Sequence, residues 1–342
     1  MSNWMDRGLG FAVPLLIALS VSALVLLAIG ESPLDTFSLM LTEGFGSPRR
    51  LASTLSAATP LLFTAVATAI CFRAGVFNVG VDGAFLIGGL AAVVAGFSLP
   101  AELGWALAPL CLAIGSVFGA AWLFVPGWLL ARLEVDEVVS TLMLNFIAVA
   151  ITGYLVNGPF LSRQSGNNVT PPVHEAAELS RLMPPATLHS GFLLAIALLA
   201  AYAFWTRRTP AGLEGAWVGL NRRFSRMVGV SVQRTIILAM VLSGVVGGLG
   251  GAAHGLGQLY RFTDGFSAGY GFTGMAVALL AHNSPLGMLI GAILFGALAS
   301  AGTTIQLFSD IPLDLVNIIQ GIVMIFAVIE LGRISIRRRA KA

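Results

Sequence analysis

The chain has 342 residues, of which 57% are hydrophobic and only 10% are charged, so the composition excludes a water-soluble globular protein and indicates a membrane protein. The net charge is +3, and arginine supplies all but one of the 19 basic residues, the exception being Lys341. A Walker A motif needs a lysine inside a glycine-rich loop, so the chain has no nucleotide-binding motif of that kind.

Apolar runs long enough to cross a bilayer predict an all-α, polytopic integral membrane protein with about ten transmembrane helices. Two of the runs are short or interrupted by glycine, so nine or eleven spans also fit the sequence. We expect one transmembrane domain over residues 1–342. The predicted spans are residues 10–30, 51–72, 80–98, 104–131, 137–157, 191–206, 235–257, 269–283, 285–303 and 312–331.

The distribution of arginine predicts the orientation of the chain. With ten spans and a cytoplasmic N-terminus, most of the basic residues fall on the cytoplasmic side, as the positive-inside rule requires. Both termini are then cytoplasmic, and the basic tail at 337–339 is a topological anchor rather than a nucleic-acid-binding patch. The proline-rich stretch 158–190 becomes an extracytoplasmic loop, either a docking or gating element or an ordinary linker. The stretch 207–234 becomes a cytoplasmic loop.

The cytoplasmic loop contains the pattern of a short helix. Asn221 is a suitable N-cap, residues 222–228 form a basic amphipathic turn pair, and Gly229 is a suitable stop. Such a helix either binds a soluble partner or rests on anionic lipid headgroups. Its apolar side contains Phe224, Met227 and Val228, and its basic side contains Arg222, Arg223 and Arg226.

Two glycine-interrupted segments, Phe72–Ala92 and Asp264–Gly287, stand in the two halves of the chain. A pair of this kind indicates a transport site, because irregular backbone at membrane depth must be buried in protein or line a cavity. Across a bend, Asp82 is placed to pair with Arg73. The intramembrane polar residues are expected to line a pathway or to form interhelical hydrogen bonds; they are Asn78, Asp82, Thr141, Asn145, Thr152, Asp314, Asn317 and Gln320.

The run Ser243–Gly257 is dense in small residues, and the spacings Gly244–Gly248 and Gly247–Gly251 predict close helix packing, within a bundle or at a subunit interface. The two cysteines lie in apolar spans and the four histidines are scattered. These patterns predict no disulfide framework, no metal site and no catalytic triad. We therefore expect a chain that is not itself an enzyme.

Five motifs stand in a characteristic order. They are FNVGVDGAFLIGGLAA (77–92), STLMLNFIA (140–148), VGLNRRFSRMVGVSV (218–232), LSGVVGGLGGAAHGLG (242–257) and GYGFTGMAVALLAHNSPLG (269–287). Together they resemble the permease superfamily of ABC importers for branched-chain amino acids, ribose-type sugars and nucleosides. The motif at 140–148 is similar to the TLMLNYIA sequence of the nucleoside branch. The chain departs from the superfamily pattern at Asp82, Ala84, Ser225, Arg226, Ala281 and His282.

The resemblance implies a permease of about ten spans in a bacterial inner membrane, paired with a second permease that is identical or homologous. Two cytoplasmic ATPase subunits would drive it and bind the ATP, an extracytoplasmic binding protein would deliver substrate, and the chain itself would hold no cofactor. The stretch Leu220–Gly229 would be the coupling helix. The coupling residues implied are Gly219, Leu220, Asn221, Arg222, Arg223, Arg226 and Gly229.

A nucleoside is neutral and flat, so its site needs amide-type hydrogen bonds and an aromatic or aliphatic wall rather than a counter-charge. The hypothetical path residues are Asn78, Asp82, Asn145, Phe146, Phe272, Thr273 and Asn317. The alternatives are import of branched-chain amino acids or a sugar by the same machinery, an ion-coupled secondary carrier, and a membrane scaffold or enzyme subunit without transport.

Overall fold

A computed structural model of the protein describes residues 20–21, 23–24, 26–27, 32–163, 166–308, 318 and 321–322. Regular structure within these residues is helical, with isolated β-bridges in place of strands. The prediction of an all-α protein is therefore confirmed for the described part of the chain. The predicted spans 10–30 and 312–331 lie almost entirely outside it, as do both termini.

The helices follow one another with short connections, except for the long loop before the sixth. A 3₁₀ turn at Ala101–Ala106 precedes α4, and a π-turn at Gly255–Leu259 continues α9. In chain order the helices are α1 Pro33–Phe45, α2 Pro48–Arg73, α3 Val81–Ser98, α4 Leu107–Leu133, α5 Glu137–Asn157, α6 Gly191–Arg208, α7 Pro210–Leu220, α8 Arg222–Met227, α9 Val232–His254, α10 Tyr270–Leu280 and α11 Pro285–Phe308.

Seven helical stretches in the described residues are long and apolar enough to cross a membrane, and each coincides with a predicted span. The predicted span 269–283 is the 11-residue helix α10, which is too short to cross a bilayer alone. Ten spans are therefore not confirmed. The seven stretches are Pro48–Arg73, Val81–Ser98, Ala101–Leu133, Glu137–Asn157, Gly191–Arg208, Val232–Leu259 and Pro285–Gly302.

The larger of two compact units, residues 59–275, is built around α9. Its glycines let α9 touch the backbones of α3 and α4: a methyl group on Gly244 would overlap the carbonyl oxygen of Gly119, and one on Gly251 would overlap that of Phe85. The predicted close approach through Gly-xxx-Gly spacing is confirmed. It serves the packing of the bundle within the chain.

The smaller unit combines residues 1–58 with 276–342, and its described part packs α1 on α11. Ser32 caps α1 by accepting a hydrogen bond from the Asp35 amide. The start of α2 is joined to the end of α1 by a hydrogen bond of 2.8 Å from the Thr54 hydroxyl to the Gly44 carbonyl. Gly44 in turn lies against Ala297 of α11.

Candidate functional site

The first glycine-interrupted segment is a true break between α2 and α3. Gly75 has a φ of +69°, and the chain runs without helix to Val81. From α5, the Asn145 amide donates to the Val79 carbonyl and accepts from the Gly83 amide, both at 2.9 Å. The N-cap residue of α3 has no side chain to cap the first turn, and Asn145 of α5 supplies this cap instead.

Asn78 lies within the same break and is fully buried. Its Nδ2 donates to the Ser243 hydroxyl of α9 at 3.0 Å, and its Oδ1 accepts from the Gly80 amide at 2.8 Å. The side chain thus fixes the turn into α3 and ties it to the central helix. Ser243 stands within the small-residue run, where sequence reasoning recognised packing but missed this hydrogen bond.

Asp82 joins the first break to the second. Its Oδ1 accepts a hydrogen bond of 2.7 Å from the Ser267 hydroxyl and one of 2.9 Å from the Gly271 amide, at the start of α10. The Thr64 hydroxyl of α2 donates to the Tyr270 carbonyl at 2.9 Å. Since Thr64 stands about 14 Å along α2 from its end at Arg73, helix α10 begins alongside the middle of a span.

The predicted ion pair between Arg73 and Asp82 is wrong. Arg73 stands at the end of α2, and its guanidinium donates to the carbonyls of Thr206 at 2.9 Å and Gly212 at 3.2 Å. The Thr206 carbonyl lies in the last turn of α6, where carbonyls have no intrahelical partners and attract a cation, and the Gly212 carbonyl lies in the first turn of α7. The Asp82 carboxylate instead meets amide and hydroxyl donors at the start of another helix.

The remaining predicted path residues do not join this cluster. Phe146 is 65% exposed, on a different face of α5 from the buried Asn145. Phe272 is 37% exposed at the first turn of α10, and Thr273 beside it is half-buried. Asn317 lies outside the described residues. The structure therefore brings together Asn78, Asp82 and Asn145, and each of these side chains binds protein groups.

The short helix predicted after Asn221 is present as α8. Asn221 caps it by accepting hydrogen bonds from the amides of Arg223 and Phe224, and Gly229 follows its end with a φ of +87°. The predicted cap and stop are thus confirmed. Ser225 is buried under the helix, whereas the three arginines and the apolar side chains are exposed; the apolar ones are Leu220 at 85%, Phe224 at 53%, Met227 at 74% and Val228 at 50%.

The segment that contains α7 and α8 touches the first break directly. The Arg222 guanidinium donates to the Gly75 carbonyl at 3.1 Å. Gly219 lies against Gly75 and the Arg73 carbonyl so closely that a side chain at Gly219 would overlap the backbone. These contacts join α8 to the segment that Asn78 and Asn145 hold. The sequence gives no signal of this contact, because the two stretches are more than 140 residues apart.

A cavity of about 390 Å³ lies beside α8, between the junction of α4 and α5 and the start of α9. It is lined by three carboxylates and two guanidinium groups, so it is polar and holds both signs of charge. The charged residues that line it are Glu134, Asp136, Glu137, Arg222 and Arg226.

The 158–190 loop is ordered where the structure describes it, and it packs on the end of α3 opposite the first break. The Val173 amide donates to the Tyr260 carbonyl, the His174 amide to Gly96, and the Leu179 amide to Leu256. His189, at the end of this loop, is buried, and burial lowers its pKa to about 4, so its imidazole is neutral at pH 7.

Comparison with known proteins adds to this geometry. The family described as "Branched-chain amino acid transport system / permease component" matches residues 50–328. The guanosine ABC transporter permease protein NupP of Bacillus subtilis is 34% identical over 324 residues, covering 92% of this chain and 91% of the relative. The nucleoside ABC transporter permease protein NupB of Lactococcus lactis is 32% identical over 339 residues, covering 96% and 93%. The glucose ABC transporter permease protein TsgB13 of Haloferax volcanii is 33% identical over 328 residues, covering 92% and 85%.

Proposed function

Because the chain belongs to the branched-chain amino acid transport system permease family, we propose that it forms the translocation path of an ATP-driven importer for nucleosides or related purine and pyrimidine compounds. Membership makes the chain a multi-pass membrane protein and the permease component of an ABC transporter. ATP hydrolysis belongs to a separate subunit, and a substrate-binding protein is a further partner. The resemblance inferred from the five sequence motifs is thereby confirmed.

The observation that supports a nucleoside is the similarity to NupP and NupB, which extends over more than nine-tenths of this chain and of each relative. The chemistry of the breaks supports a neutral substrate. Asn78 and Asn145 are amides, which suit the hydrogen-bonding groups of a neutral solute, and Asp82 already accepts hydrogen bonds from Ser267 and Gly271.

The complete transporter in this proposal contains a second permease, identical or homologous, and sits in a bacterial inner membrane with both termini of this chain cytoplasmic. The whole chain acts as one permease domain, in contact with lipid, and holds no cofactor or metal. The ATPase binds the exposed apolar residues of α8, and the contacts of Gly219 and Arg222 with Gly75 transmit its closure to the first break. The path residues are those that surround the two breaks.

The test is reconstitution of the permease with its ATPase, second permease and binding protein in liposomes. We expect uptake of labelled guanosine that requires ATP and is competed by unlabelled nucleosides, while leucine, ribose and glucose leave it unchanged. Uptake of leucine instead of a nucleoside would agree with an ATP-driven importer but would refute the proposal that its substrate is a nucleoside. Flux that ignores ATP and follows an ion gradient would refute the ATP-driven mechanism.

Glucose or another sugar is the second candidate substrate, because TsgB13 is as similar to this chain as the nucleoside permeases are. A sugar is also neutral, so the amides at the breaks suit both classes. Competition by unlabelled guanosine and unlabelled glucose in the same experiment distinguishes a nucleoside importer from a sugar importer. Uptake of labelled glucose that guanosine leaves unchanged would assign the chain to sugars.

A further inference from the structure

Three buried polar atoms without a hydrogen-bond partner lie around the π-turn 255–259, among the residues that the structure describes. They are Nδ1 of His254, Oε1 of Gln258 and Nε2 of His189. His254 is 4% exposed and His189 is fully buried. His254 and Gln258 stand four residues apart, and their side chains are close enough to interact with each other. The His189 ring packs so tightly on Gly257 that a side chain there would overlap it.

An unpaired polar atom inside a membrane protein costs free energy, because no water or lipid group satisfies it. Three such atoms on neighbouring side chains are a concentration that packing alone does not explain. π-turns within helices are rare and occur frequently at functional sites. The combination points to a group that binds here in another state of the transporter.

Aromatic rings surround His254. Ring centroids of Phe266, Tyr270 and Phe85 lie 5.1, 5.2 and 5.7 Å from its imidazole. Phe266 and Tyr270 belong to the segment that enters α10, whereas Phe85 belongs to α3. A flat heterocycle that stacks on these rings would place its polar edge against the unpaired atoms.

The segment 265–269 packs on His254 through Phe266 and has a glycine with positive φ at each end. Gly265 has a φ of +70° and Gly269 a φ of +78°, and both have open space where a side chain would stand. Between them, Phe266 packs against Gly89 and Ser267 is held by the Asp82 carboxylate. Rotation at the two glycines would uncover His254 once three hydrogen bonds are released. They run from the Ser267 hydroxyl to Asp82, from the Phe266 amide to the Thr263 carbonyl, and from the Tyr270 amide to the Ser267 hydroxyl.

We propose that His254, Gln258 and His189 form a recognition site for the hydrogen-bonding edge of a purine or pyrimidine base, closed in this structure by the 265–269 segment. Nδ1 of His189 accepts from the Gly191 amide, so its Nε2 carries the hydrogen and donates, while the Gln258 oxygen accepts. Together they match a base edge, which presents donors and acceptors side by side. This assignment rests on the proposed nucleoside transport, and it specifies the base as the part of the substrate that the site binds.

The test compares uptake of guanosine with uptake of purine riboside, whose base lacks the exocyclic polar groups, in the reconstituted transporter. We expect His254→Phe, which keeps a ring of similar shape, and Gln258→Leu each to lower guanosine uptake about tenfold, since one hydrogen bond is worth about that factor. Purine riboside uptake should stay within about twofold. The control His174→Leu changes an exposed histidine of the loop and should alter neither rate.

A second measurement does not depend on transport. Gln258→Cys should be protected from a thiol reagent by guanosine and left unprotected by ribose. Equal loss of both uptakes in both variants, without this protection, would show a structural role and overturn the site. An unchanged ratio of the two uptakes in both variants would also overturn it, while leaving nucleoside transport intact. If the wild-type transporter imports no nucleoside, the proposed function and this inference fail together.

Discussion

The Asp82 carboxylate holds the two broken segments together, and Asp82→Ala tests this directly. The substitution removes the acceptor for the Ser267 hydroxyl at 2.7 Å and for the Gly271 amide at 2.9 Å. Both donors remain buried or half-buried without a partner. We therefore expect α10 to lose its connection to α3, and uptake to fall because the breaks no longer move together.

The magnitude follows from the number and kind of hydrogen bonds. Each bond to a charged group contributes about 1.5–3 kcal/mol, so removal of two should lower the free energy of unfolding by about 3–6 kcal/mol. Ser267→Ala removes one of them and should cost about half as much. In the double variant Asp82→Ala with Ser267→Ala, the two losses of unfolding free energy should not add, because both single variants remove the same hydrogen bond between Ser267 and Asp82.

The assay is equilibrium unfolding of the purified permease in mixed micelles, for the single variants and the double variant. Asp264→Asn is the matched control, since this carboxylate is in the same segment, is exposed, and caps only the neighbouring Gly265 amide. Its unfolding free energy should change by less than about 0.5 kcal/mol.

Two results would contradict the proposal that Asp82 holds the two broken segments together. An unfolding free energy of Asp82→Ala within about 1 kcal/mol of the wild type would mean that the two bonds do not hold the breaks together. Asp82→Asn keeps an acceptor at Oδ1 and should retain most of the uptake. If it keeps full stability but abolishes an ion-dependent flux, Asp82 is a coupling site rather than a structural clamp.

Four further variants or conditions test other parts of the molecule. Asn145→Ala should lower the unfolding free energy by about 2–4 kcal/mol, because two buried backbone groups lose their partner, and should depress uptake; unchanged uptake removes Asn145 from the site. Gly248→Ala should reduce the amount of folded protein in the membrane, since a methyl group overlaps the backbone of α4, whereas Gly215→Ala, with open space around it, should not. Phe224→Ser should weaken co-purification of the ATPase several-fold without altering the thermal stability of the permease, and unchanged binding would contradict docking at α8. Lowering the pH from 7 to 5 should destabilise the 158–190 loop by about 2 kcal/mol, measured by amide hydrogen exchange. The pKa of His189 is lowered to about 4 in the fold, so the stability that its neutral form contributes is present above about pH 6.5 and is lost as the pH falls toward 4.

Several features could be predicted from interactions between residues that are close together in the sequence. The apolar runs identified seven spans because burial in lipid requires about 20 consecutive apolar residues, whatever the rest of the fold does. Asn221 and Gly229 marked the ends of α8 because a cap and a left-handed stop involve only neighbours in the chain. The glycines near Gly75 and Gly269 marked the two breaks for the same reason.

The partners of the polar groups at the breaks depend on how the helices pack in three dimensions. Sequence proximity favoured Arg73 as the partner of Asp82, but the carboxylate binds donors 185 and 189 residues away. Neighbouring positions also placed Asn145 and Phe146 at one site, yet a helix turns about 100° per residue, so Asn145 is buried while Phe146 is exposed. The positions of the backbone breaks followed from the glycines in the amino-acid sequence alone. Which side chains close those breaks depended on helix packing, because hydrogen bonds act over about 3 Å in space and not along the chain.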